Sequence, residues 1–295
     1  MTINVLDTHT AMTRVLSAPT ADRAAELRTM LEPIAGMYRY APGDVDLVAV
    51  HHQTFGFPID RDEDRCLEAL DQLAQAKAWD RTQHAMDHAL AVLSEANPAL
   101  DAPDITVLLA LGDPANTHFM DTVRGLVGFG GISGYIYITL WPHEVNLDRI
   151  EPNAVHELHH NLRYSPGGVV WDPSVVTVGE QVVGEGLADA FARQLYGDAL
   201  GYTPIGVPHL EDDAVLARVI EGLGVTGMEN FTAWVHGDAS AERLGVTPVG
   251  VPTGAGYAVG NRLVDAYLKQ TGQSAAEALH ADSATVIATA LEVLR

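Results

Sequence analysis

Apolar residues recur every three or four positions over 21–31 and 61–93, which places them on one face of a helix. The same period returns over 213–223, 228–235, 256–269 and 283–294, with Gly272 suited to end the third of these. Two stretches follow a different rule. Ile105–Leu111 is a continuous apolar run of strand length, stopped by Gly112-Asp113-Pro114. Residues 135–141 alternate, with Tyr135, Tyr137, Thr139 and Trp141 on one side and Ile136, Ile138 and Leu140 on the other. Residues 45–50 read as a further short strand inside an otherwise helical first hundred residues. The pattern therefore predicts an α+β protein. The loop at 97–104, with Pro98 and Pro103, is its one internal boundary: a mostly helical N-terminal lobe (1–100) precedes a second domain (101–295), and the two are able to pack as one unit.

Two more helices stand in the middle of the chain. Glu151-Pro152 suits a helix start, because proline at the first helical position loses no needed N–H. The run then passes Leu158 and Leu162 and stops before Ser165-Pro166-Gly167-Gly168. The second spans Val178–Tyr196 and is closed by Gly197. Gly125, Gly128, Gly130, Gly131 and Gly134 precede the alternating strand. They lack both a Gly-Lys-Ser/Thr ending and dinucleotide spacing, so a phosphate loop is excluded.

Composition narrows the partners. The chain carries a formal charge of −22, a surface that repels nucleic acid phosphates and anionic lipid. No run approaches the roughly 20 apolar residues of a membrane helix, and the start shows no basic, then apolar, leader, so the expected location is cytoplasmic. Cys66 is the sole cysteine and reads as a small buried hydrophobe.

The chemistry is carried by His156-Glu157-x-x-His160. Residues four apart on a helix lie about 40° apart around its axis, so both imidazoles can reach one metal ion. Glu157 sits about 100° round from His156, beside the metal and in position to act as base. The second helix offers Glu185 as third ligand, with Asp189 one turn on to orient a ligating histidine. Glu180 competes, but it lies about 140° from Glu185 and has no Asp four residues later. These residues describe one Zn2+ per chain held by His156, His160 and Glu185, with Glu157 shuttling the proton of an activated water. His159 is read as flanking. For the oxyanion donor the first candidate is Tyr257, set among Gly254, Gly256 and Gly260, followed by Tyr164, then His236 and His143.

His156-Glu157-Leu158-His159-His160-Asn161, followed by Gly184-Glu185-Gly186-Leu187-Ala188-Asp189, resembles a gluzincin. More narrowly it is similar to a bacterial family of predicted zinc-dependent proteases described as a domain of unknown function. Gly130-Gly131-Ile132-Ser133-Gly134-Tyr135 and Gly256-Tyr257-Ala258-Val259-Gly260 extend the likeness. The resemblance implies a zincin-like fold, a small sheet with an edge strand over the HExxH helix, and a peptide or protein substrate. It also implies that the strand just before that helix is the edge on which the peptide lies, through Tyr135, Tyr137 and Thr139.

Two other readings start from the same residues. Glu157-x-x-His160 and Glu277-x-x-His280 form two ExxH pairs, as a di-iron carboxylate protein requires, though the strands argue against its four-helix bundle. A non-catalytic zinc staple is the other, but it would normally close all four positions with Cys or His. His84 and His88, also four apart, lack an adjacent Glu and read as an exposed helix face, as do His51 and His52.

Overall fold

The computed structural model describes all residues except Pro42 and Arg295. Four strands, β1 (Ile3–Val5), β2 (Ile105–Leu111), β3 (Leu126–Ile132) and β4 (Tyr135–Leu140), form one sheet in the order β1-β2-β4-β3. β2 runs parallel to both β1 and β4, and β3 is antiparallel to β4. The helices in chain order are α1 (Thr8–Ser17), α2 (Arg23–Leu31), α3 (Leu47–Gln53), α4 (Glu63–Gln75), α5 (Ala78–Ala96), α6 (Glu144–Leu147) and α7 (Ile150–Arg163). They continue with α8 (Val178–Tyr196), α9 (Asp198–Gly201), α10 (Asp213–Gly222), α11 (Asp238–Arg243), α12 (Ala255–Thr271) and α13 (Ser283–Val293). The α+β class read from the periodicity is the observed one.

The chain sorts into two compact units: Met1–Leu90 with Asp101–Asn161, and Ala91–Leu100 with Leu162–Arg295. The first is built on the sheet, with α1 and α4 packed on β2. Because both faces of β2 are covered, its sequence is a continuous apolar run rather than an alternation. The second unit is built on α8 and α12. Val178, Val182, Val219, Leu223, Val259 and Leu263 are buried together there. The two helices touch backbone to backbone: a Cβ on Gly186 would stand 2.2 Å from the Gly260 carbonyl oxygen, and one on Gly260 would stand 2.2 Å from that of Val182. Glycine at both positions is what this approach requires.

Several expectations are corrected. Residues 45–50 are not a strand: Asp46 caps the start of α3 by accepting from the N–H groups of Val48 and Ala49, so local capping overrides the β-branched composition. The helical run 61–93 is two helices, divided at Lys77, which has φ of 55°. β1 and β3 went unread, the first because it is short and the second because glycines disguise it. Most consequentially, β4 is not a sheet edge. It is hydrogen-bonded to β2 on one side and β3 on the other, so Tyr135, Tyr137 and Thr139 cannot take up a peptide by strand addition. Their face is also covered. The Tyr135 ring lies against Gly36, Tyr137 is bonded to His51, and Thr139 is buried.

His51 is likewise not on an exposed face, although His52, His84 and His88 are. Its Nε2 donates to the Phe57 carbonyl and its Nδ1 accepts from the Tyr137 hydroxyl, both at 3.0 Å, which fixes a neutral tautomer. Burial drives its pKa down to about 3, outweighing the carbonyl that favours its charged form. In the unfolded chain the same group takes a proton near pH 6.5. Between those values the unfolded state binds more protons, so stability falls as pH drops from about 6.5 toward 3. We expect the acid slope of urea-determined stability to flatten in His51→Gln across that window. An unchanged slope would show that His51 is not the group responsible.

Candidate metal centre

Helix α7 begins at Ile150, so Pro152 stands within its first turn rather than at its first position, still among the N–H groups that need no intrahelical partner. Glu151 stands in its first turn, favourable for an acid at a helix N-terminus, and Arg81 of α5 grips that carboxylate in a two-pronged contact. One face of α7 lies on the edge strand β3. A Cβ on Gly128 would come 2.1 Å from Oε1 of Glu157, and one on Gly130 would come 2.1 Å from the Glu157 backbone oxygen. The glycines of β3 therefore serve contact, not flexibility: they let the helix and the Glu157 side chain press against the strand. Asn161, four residues after Glu157 and hence on the same side, locks this register. It is buried, accepts from the Gly134 N–H, and donates its amide to the carbonyls of Gly130, Ile132 and Tyr135.

The last turn of α7 is tied to α8. Arg163, fully buried, forks onto Glu180, with Nε to Oε1 at 2.8 Å and Nη2 to Oε2 at 2.9 Å. The rest of its guanidinium donates to the carbonyls of Leu279 and Ala281. Tyr164 donates its hydroxyl to Glu180 at 3.0 Å. Burial, then the Glu180 charge, holds that phenol well above its usual pKa, so it stays a donor. Thr177 caps α8 by accepting from the Glu180 N–H, and Gly197, at φ of 75°, ends it.

On this scaffold one donor atom from each of His156, His160 and Glu185 lies within 4.8 Å of the others, and all three residues are buried. The Nε2 atoms of the two imidazoles face each other at 3.1 Å. Two nitrogens bound tetrahedrally at about 2.0–2.1 Å are about 3.4 Å apart, so the pair is already close to the spacing one zinc ion demands. Two nitrogens and a carboxylate oxygen are also a donor set that zinc accepts. The residues fit the ion.

The other predicted residues fall as follows. Glu180 is engaged by Arg163 and Tyr164, which leaves Glu185 as the carboxylate of the cluster and commits Tyr164 away from an oxyanion. His159 is buried but is not one of the three clustered donors. Asp189 is buried and accepts from the Thr203 N–H and hydroxyl and from the Asn261 amide, at 3.0, 2.8 and 2.7 Å. Tyr257 sits on α12 and stacks parallel to His236, ring centroids 6.1 Å apart. His143 lies against the Arg124 carbonyl. The second ExxH pair is spent elsewhere: Glu277 is exposed and accepts from Ser274, and His280 bonds the Leu162 carbonyl, so the di-iron reading loses its second pair.

Sequence reasoning missed Asn161, Arg163, Thr203 and Asn261. Asn161 had a signal, since the helical period puts it on the Glu157 side; the others act across long chain separations and had none.

Residues 85–288 match a family described as a predicted Zn-dependent protease (DUF2268). An uncharacterized protein of Bacillus subtilis (strain 168), YjfC, is 31% identical over 228 residues, 77% of this chain and 75% of the relative. No solved structure matches. The matched segment contains His156, Glu157, His160 and Glu185, and the chain belongs to this family of predicted Zn-dependent proteases.

Proposed function

We propose that the chain is a zinc-dependent peptidase with one Zn2+ held by His156, His160 and Glu185. The convergence of those three donors is the observation that carries the reading. When bound, such an ion supplies the Lewis acidity that lets water ionise near neutral pH and polarises a carbonyl. Glu157, its carboxylate against Gly128 of β3, takes the proton of the attacking water and returns it to the leaving amine. Asp189, buried and held by Thr203 and Asn261 one turn beyond Glu185, orients a ligating histidine. Tyr257 is the donor to the oxyanion, brought in on a helix whose Gly260 packs directly on α8.

The substrate strand is β3 rather than β4. Among the described residues β3 ends the sheet, so its outer N–H and C=O groups are those open to an extended peptide. Backbone pairing of that kind gives affinity with little side-chain selectivity, which suits cleavage of varied peptides.

The test is zinc stoichiometry alongside cleavage of a mixed peptide library. The wild-type chain is expected to bind one zinc and to lose cleavage with a chelator. Glu185→Ala and His160→Ala should each lose zinc affinity and cleavage together. Zinc bound at full stoichiometry without cleavage of any peptide would favour the non-catalytic staple instead.

A further inference from the structure

We infer that Phe129 is a specificity-determining residue, its ring packing against an apolar side chain of a peptide paired to the outer edge of β3; the inference rests on the peptidase reading above and adds a side-chain preference to it. The hydrogen bonding of β3 fixes which of its groups face outward. The Trp141 N–H donates to the Gly125 carbonyl at 2.8 Å, and the register continues through Leu126↔Leu140, Val127↔Thr139, Gly128↔Ile138 and Phe129↔Tyr137. Bonded and non-bonded pairs alternate in an antiparallel ladder. Val127 and Phe129 therefore turn their N–H and C=O groups toward β4, and Leu126 and Gly128 turn theirs outward. Further along, Asn161 takes the carbonyls of Gly130 and Ile132, each at 3.0 Å. Pairing by a peptide thus falls on the Leu126–Gly128 stretch, and Gly128 is the residue that lies against the Glu157 carboxylate.

Side chains alternate with the same period. Gly128 faces Glu157 of α7, so Val127 and Phe129 stand on the opposite face, beside their cross-strand neighbours Thr139 and Tyr137. Cover on that face stops short of the edge: Tyr137 is 4% exposed, whereas Phe129 is 39% exposed. A peptide residue opposite Gly128 has its two neighbours opposite Val127 and Phe129, whichever way the peptide runs. Their side chains fall on the Phe129 face, with Cβ atoms about 4.5–5.5 Å from those of their strand partners. The one opposite Phe129 covers the flank of the ring turned away from Tyr137. An exposed aromatic ring on an open edge invites unwanted association, and edges are commonly blunted with charge instead. A phenylalanine there suits a partner that brings an apolar side chain of its own, and it disfavours a charged one, which would lose water against the ring. Backbone pairing supplies affinity, and Phe129 supplies choice at one position.

The experiment profiles cleavage of a mixed peptide library by the zinc-loaded full chain and reads the side chains enriched at each position around the cut. At one position the wild type should favour Leu, Ile or Phe over Ser and Asp by about fivefold, the upper range of an aromatic cross-strand pair. Phe129→Ala should lose that preference, while Tm and kcat/KM for a peptide carrying Ala there change little, kcat/KM by no more than about twofold, because the ring is substantially exposed. Phe129→Lys should turn the preference at the same position toward Asp and Glu, a gain that a misfolded chain cannot produce. An unchanged profile in both variants would overturn the inference and leave the peptidase reading standing. So would a wild-type profile with no apolar preference, or an equal fall in cleavage of every peptide in both variants, since Phe129 would then serve the fold. Cleavage of no peptide by the wild-type zinc-loaded chain removes the peptidase reading itself, and this inference with it.

Discussion

Glu157→Gln is expected to bind zinc at wild-type stoichiometry while cleaving peptides about 10²–10⁴ times more slowly, the range a positioned general base contributes. The substitution keeps the size and shape of the side chain that lies against Gly128, so β3 and α7 should keep their contact. Only the ability to take and return a proton is removed. Because Glu157 is not among the three clustered donors, zinc affinity should not follow activity downward. The two measurements must therefore separate. If metal and activity were lost together, Glu157 would be holding the site rather than acting in it. If cleavage stayed at the wild-type rate in a zinc-loaded sample, the base would have to be sought elsewhere. Chelator-treated wild-type protein supplies the reference for what no metal looks like.

What could be read in the sequence was whatever obeys a local period. The HExxH face of α7, the Glu185–Asp189 spacing on α8 and the span of α8 itself are consequences of 3.6 residues per turn, and the chain shows each of them where expected. β2 was legible because a strand buried on both faces is simply a run of apolar residues. β3 was not, because the residues that make it a strand are decided by its neighbour: Gly128 and Gly130 are there for Glu157, and glycine carries no strand signal. The error over β4 has the same source. Alternation reports that a strand has two faces, while edge or interior is a property of which strands pair with it, and the β1-β2-β4-β3 order is set by long-range contacts. The partners of Asp189 and of Arg163 lie far along the chain, at Thr203, Asn261, Leu279 and Ala281, where no period leads. The donors themselves were local. Their supports were not.

Removing Arg163 is expected to cost about 3–5 kcal/mol of stability, the penalty for leaving a buried charge without its partner. Arg163 is wholly buried, and its guanidinium serves Glu180, Leu279 and Ala281 at once. In Arg163→Met the Glu180 carboxylate would keep the Tyr164 hydroxyl but lose the fork, and the buried Leu279 carbonyl and the part-buried Ala281 carbonyl would lose a donor. Lysine should not rescue it, because an ammonium cannot reproduce the two parallel bonds of the fork. The double variant Arg163→Met with Glu180→Leu should recover part of the loss, since an ion pair replaced as a whole costs far less than one broken in half. Its carbonyl partners remain unsatisfied, so recovery should stop short of wild type. Urea unfolding of the zinc-free protein measures all three variants. Zinc affinity then separates fold from site. The fork joins the end of α7, one turn beyond His160, to the first turn of α8, one and a half turns before Glu185. Weakened zinc binding in the double variant, after its stability has partly returned, would identify the pair as what holds the donors in register. Wild-type zinc affinity there would make it a fastening of the second unit alone, and a loss below about 1 kcal/mol in Arg163→Met, a value ordinary for exposed pairs, would deny it even that.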